Sequence, residues 1–154
     1  MALRASTKLK NALLAAISSA FDYGTIYIYS GTQPANANAA PTGTLLAMVT
    51  VGAGAFTHGA QANGLRFDAP AGGVLTKRAD QVWQYKGIAD GFAGWFRFIP
   101  NAADSLAADN TETYARLDGR IAAAGGEMTL SNLNVVTNVV GTVDACELDF
   151  STWL

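Results

Sequence analysis

The apolar residues of this chain change their spacing once, and that change limits the possible folds more than any other feature. Between Ser6 and Phe21 they recur every four residues, at Leu9, Leu13, Ile17 and Phe21, with Ala12, Ala16 and Ala20 beside them. Such a period runs along one side of a helix, and Ser6 or Thr7 supplies an N-cap oxygen. After Asp22-Tyr23-Gly24 the period falls to two. Thr25-Ile26-Tyr27-Ile28-Tyr29-Ser30 alternates Ile with Tyr in a run dense in β-branched and aromatic residues, which marks a strand with both faces at least partly covered.

From there the pattern stays short and strand-like. Strands are expected at 25–30, 44–51, 65–67, 74–77, 81–85, 92–99, 113–117, 127–130, 134–140 and 142–150, with Gly, Pro and Asn between them. A Pro/Ala/Asn-rich run at 31–43, containing Pro34 and Pro41, reads as a long surface loop. Asp90-Gly91 and Asp118-Gly119 read as turns. Many short strands without interleaved helices predict an all-β body, a β-sandwich or jelly roll, at 25–154, preceded by a helix or arm at 1–24. Gly94-Trp95-Phe96-Arg97-Phe98-Ile99 carries large side chains on both faces and is expected to be a central strand.

Composition narrows the partners. Hydrophobic residues make up 50% of the 154, but charged residues only 14%, against about 25% in an ordinary soluble domain. A surface built of Ala, Gly, Thr, Asn and Ser suits a subunit lying against identical or related subunits, with a soluble monomer as the alternative. The net charge of −2 and thinly spread Lys and Arg provide no basic field for phosphates, so nucleic acid is not an expected partner. No apolar run reaches the length of a membrane span, and residues 11–21 imitate only a weak signal segment interrupted by Ser18 and Ser19. The expected product is cytosolic. The single cysteine, Cys146, is in phase with Leu148 and Phe150 and reads as a buried apolar residue beside acidic neighbours.

No constellation for catalysis or for a cofactor assembles from the residues. The one histidine, His58, has no nucleophile or ligand near it in sequence. The glycines at 52 and 54 lack the GK[ST] of a phosphate loop. Glu147 and Asp149 share a strand face that alternation with Cys146, Leu148 and Phe150 turns outward. Asp104, Asp109, Asn110 and Glu112 form an oxygen-rich loop without EF-hand spacing, read as an ordinary polar loop rather than a Ca²⁺ site. Tyr27, Tyr29, Trp83, Tyr85, Trp95 and Trp153 can build either a core or a sugar-stacking platform, and core and interface packing is the expected use.

Met1-Ala2-Leu3-Arg4, Asn11-Ala12-Leu13-Leu14, Ile28-Tyr29-Ser30-Gly31-Thr32-Gln33-Pro34-Ala35, Thr42-Gly43-Thr44-Leu45-Leu46 and Gly94-Trp95-Phe96-Arg97-Phe98 together resemble small virion proteins of tailed bacteriophages. The resemblance runs through most of the chain. It implies a non-enzymatic particle component residing in the virion, with no catalytic residues to carry over. Within that class a capsid decoration or cement protein is preferred, often trimeric, whose partner is the major capsid protein or another virion protein. A tail or head-to-tail connector component and a carbohydrate-binding host-attachment module are the alternatives.

The expected contact with that partner is the stripe Leu9, Leu13, Leu14, Ile17 and Phe21, since burying each such side chain is worth about 1.5–3 kcal/mol and something must cover it. The basic start, Arg4, Lys8 and Lys10, favours an acidic neighbouring surface over the chain's own body. With no metal cluster in the sequence, EDTA is expected to leave thermal unfolding unchanged. A lowered midpoint in EDTA would locate an ion in the 101–113 loop.

Overall fold

The structure, a computed structural model, describes residues 3–152. One helix, α1 (Thr7–Ala20), precedes β1 (Thr25–Ser30), β2 (Leu45–Val51), β3 (Val74–Thr76), β4 (Trp83–Gly87), β5 (Gly91–Ile99), β6 (Leu117–Ala122), β7 (Met128–Thr129), β8 (Asn134–Val135), β9 (Val140–Thr142) and β10 (Ala145–Asp149). The strands form one sheet in the order β3-β10-β7-β6-β5-β1-β2-β4-β9, with β8 paired to the start of β5. All pairs are antiparallel except β6 with β7.

The sheet curls into a half-barrel, and its connectivity explains why. β9 and β10 lie towards opposite ends of that order, yet only Val143 and Asp144 separate them. Val143 N–H donates to Trp83 O on β4 and Asp144 N–H to Thr129 O on β7, each at 2.9 Å. A single run of chain thus ties both flanks together, and a flat sheet cannot satisfy both bonds.

The two faces of β1 and β5 divide by alternation. Ile26 pairs with Phe98 and Ile28 with Phe96 on the inner face, while Tyr27 pairs with Arg97 and Tyr29 with Trp95 on the outer one. The inner face merges with Val49, Trp83, Tyr85, Ile121, Met128, Cys146 and Leu148 into one core. Phe98 is its hub, with ring centroids of Phe21 at 5.1 Å, Phe67 at 5.5 Å and Trp83 at 6.2 Å. β5 is central, as its two-sided pattern requires, with Trp95 and Phe98 both buried.

Four local expectations give way, each for a physical reason. Of the expected strand 113–117 only Leu117 is paired, as the first residue of β6; residues 113–116 form no strand, because the Thr113 and Tyr114 N–H groups are taken by the Asp109 carboxylate and cannot join a ladder. Residues 134–140 break into β8 and β9 at a turn closed by Val139 N–H to Val136 O, with Asn138 at φ 65°. Leu65 and Phe67 make isolated bridges to Gly24 and Lys77 instead of a ladder. Asp118-Gly119 is not a turn but lies inside β6. Gly119 faces Phe96 across the sheet, and a Cβ there would lie 2.5 Å from the Phe96 ring, so the glycine makes room for a core aromatic.

Because Phe98 joins the rings of α1's C-terminal end, the 65–67 segment and β4, Phe98→Ala is expected to cost about 3–5 kcal/mol. Chemical denaturation measures this, and an unchanged midpoint would remove β5 from the centre of the core.

Candidate partner-binding surface

Ser6 caps α1, its side-chain oxygen accepting from Leu9 N–H at 3.3 Å, and Phe21 closes the far end with its N–H on Ile17 O at 3.1 Å. A helix turns about 100° per residue, so positions four apart drift by about 40° at each step. The stripe Leu9, Leu13, Ile17, Phe21 therefore winds around the helix. Leu9 is 51% exposed, Leu13 39% exposed, Ile17 half-buried and Phe21 buried. Leu14, completely buried, joins Phe21 in the core, and Ile17 packs against it.

The chain's own body therefore covers Leu14, Ile17 and Phe21, which corrects the expectation that the whole stripe is kept for a partner. Two polar contacts hold the same side of the helix. Lys10 Nζ donates to Ser151 O at 2.7 Å, and Asn11 Oδ1 accepts from Gly73 N–H at 2.8 Å. Lys10 is thus turned inward and does not belong to a basic outer patch; Arg4 and Lys8 remain exposed. What stays uncovered is a flank of Leu9, Ala12, Leu13, Ala16 and Ala20.

The outer face of the sheet is roofed by the loops at 31–44 and 100–116, held by two buried ion pairs. Arg97 donates through Nε and Nη2 to both Asp118 oxygens at 2.7 Å, and through Nη1 to Ala39 O at 2.9 Å. Arg116 grips Asp104 in the same two-pronged way, at 2.7 and 2.6 Å, and reaches Ala107 O at 2.9 Å. No side chain of these four is more than 3% exposed. Such forked pairs fix geometry as well as charge. Asp109 then ties the two loops together, its N–H donating to Asn38 O at 2.7 Å while its carboxylate accepts from Thr113 and Tyr114 N–H.

Tyr29 stacks on Trp95 beneath this roof, centroids 4.6 Å apart, and burial pushes the Tyr29 phenol up to about 12. The Trp95 indole N–H is buried there without a hydrogen-bond partner. Trp83, Tyr85, Trp95 and Tyr29 are all buried, so they pack the interior and form no sugar platform; Tyr27 is half-buried and Trp153 lies outside the described residues.

The remaining candidates stay apart. His58 sits edge-on to Phe56 in a loop, 5.2 Å between centroids. Glu147 and Asp149 are exposed on the outer side of β10, while Cys146 points inward, where burial pushes its thiol up to about 12. Among the described residues no group of His, Cys, Asp and Glu is arranged to hold a metal ion, and no helix is long and apolar enough to cross a membrane. The roof was invisible in the sequence because its partners lie far apart along the chain; the one available signal was an arginine, Arg97, in phase with Trp95 on a two-sided strand. In comparisons with protein families, with curated proteins and with solved structures, nothing matches this chain.

Asp104 makes the roof acid-sensitive. Burial opposes its charge, but hydrogen bonds from Arg116 and the Leu106 N–H, with the Arg116 charge, hold the carboxyl below its ordinary value. The stability from this depressed value is fully present above about pH 3.9, the unfolded value, and is lost as pH falls through the folded one. Asp104→Asn, which leaves Arg116 buried and unpaired, is expected to cost about 3–5 kcal/mol near neutrality. Urea unfolding from neutral pH down to about pH 2 should show wild type and variant converging at the acid end. A constant gap at every pH would contradict this role.

Proposed function

We propose that this protein is a non-enzymatic bacteriophage virion structural protein, a capsid decoration or cement protein that binds and stabilises the particle. The observation that carries the reading is the split of α1 into two apolar flanks. One is fastened into the chain's own core by Leu14 and Phe21; the other, with Leu9 and Leu13, is held rigid and left in water. A flank anchored in this way suits docking, because little ordering cost remains at the moment of contact. The exposed Lys8, next to Leu9 in the helix, suits an acidic neighbour.

The use of ionisable groups supports a structural role as well. Arg97, Asp118, Arg116, Asp104 and Asp109 spend their hydrogen bonds on holding loops. Self-association of the subunits, as a trimer, and a sandwich- or jelly-roll-like course of the curled body belong to the same proposal. A host-attachment module that stacks sugars draws no support from rings that lie inside the fold.

Leu9→Lys with Leu13→Lys tests the docking flank. Both side chains are exposed, so the double variant should keep its wild-type unfolding midpoint yet cease to co-sediment with undecorated shells. Retained binding by the folded variant would refute the reading. Deletion of residues 1–21, by contrast, is expected to unfold the body, since it removes Leu14 and Phe21 from the core.

A further inference from the structure

The sheet ends differently on its two sides. Beyond β3 the backbone is covered: Asp68 N–H donates to Thr76 O, and Ala71 and Val74 exchange bonds, all at 3.0 Å. Beyond β9 it is bare. Gly87 N–H donates to Val139 O at 3.0 Å and Val143 N–H to Trp83 O at 2.9 Å, so alternate residues of β9 turn towards β4. Val140 and Thr142 turn their N–H and C=O groups the other way, where no described residue pairs with them.

They border a groove of about 260 Å³, whose other side is Ser131, Asn132 and Asn134. Gly141 and Tyr85 also line it, and a Cβ at 141 would lie 2.2 Å from the Tyr85 ring, so the two pack tightly against each other. Val136, Val139 and Val140 form an apolar rim, 48–54% exposed, and none of the lining residues is charged. A bare, uncharged strand edge is the kind that takes up another strand, and this one carries neither Lys nor Pro to prevent it.

We infer that this groove receives the extended segment 3–5 of a second copy of the chain as an added strand against β9. The segment lies ahead of the helix, outside any helix or strand, and makes no hydrogen bond to its own body among the described residues. Its Leu3 is 76% exposed, the most exposed of the large apolar side chains described. Three residues match the three of β9 at about 3.3 Å each. Leu3 finds the Val136, Val139 and Val140 rim, and Arg4 enters a groove that holds no cation. Because the donated segment and the receiving edge are different parts of the chain, the contact is head-to-tail; copies that repeat it close into a ring when the rotation between them closes, as a trimer requires, and otherwise run on as a filament.

This inference deepens the self-association within the proposed function and rests on it. Sedimentation equilibrium of the full chain tests it, alongside deletion of residues 3–5 and Thr142→Pro, which removes an outward N–H that no bond within the fold uses. Circular dichroism confirms that each variant is folded, and Leu9→Lys with Leu13→Lys serves as the contrast. The expected result is a ring, three chains in the trimer reading, for wild type and for the leucine variant. Both the deletion and Thr142→Pro should be folded monomers, or associate at least tenfold more weakly. A folded oligomer unaffected by either change would overturn the inference while leaving self-association intact. A monomeric wild type would overturn both, and shell binding by that monomer would leave the docking role of α1 standing.

Discussion

Arg97 is buried in the middle of the central strand, and the outer half of the molecule is organised around that fact. A guanidinium without water must find hydrogen-bond partners, since an unpaired buried charge costs several kcal/mol. Asp118, 21 residues away in sequence but opposite it across the β5–β6 pair, supplies the charge, and Ala39 O closes the third side. The loop at 31–44 is therefore held where a Pro/Ala/Asn-rich run would otherwise have little to order it. Arg116 and Asp104 repeat the device for the loop at 100–116. One sheet thus gains two covered faces, an apolar one inside the curl and one beneath the loops whose buried charges are paired.

The curl and the helix follow from the inner face. Phe98 sits where the C-terminal end of α1, the 65–67 segment and β4 converge, so the helix belongs to the core even though it precedes every strand. That placement makes the helix useful in another way. Its bound flank fixes the orientation of its free flank, and the Lys10 and Asn11 contacts resist rotation about the helix axis. A partner that meets Leu9 and Leu13 meets a surface already in position.

Periodicity made the general architecture legible. The change from four to two after Phe21 located α1 and β1, and the dense aromatic run at 94–99 marked the central strand. Where the sequence misled, a side chain had taken over a backbone role or a glycine had a packing role. Asp109 claimed the amides of Thr113 and Tyr114, and Gly119 served Phe96 instead of a turn. The candidate site was half legible for a geometric reason. The spacing of four picked out Leu9, Leu13, Ile17 and Phe21, with Leu14 beside them, but the winding of a four-residue stripe decides which face the body, and that needs the position of the body itself. The bare edge of β9 left no mark in the sequence, because it depends on the break at Val136–Val139 and on where residues 131–134 run.

The central claim, that a rigid helix flank docks this subunit onto a particle, is tested most directly by a density map of the intact virion at side-chain resolution. The account predicts copies of the chain seated with Leu9 and Leu13 against a neighbouring virion protein and the loops at 31–44 and 100–116 facing away from it. Copies whose helix flank faces solvent while those loops make the contact, or a complete particle that carries no copy, would contradict it.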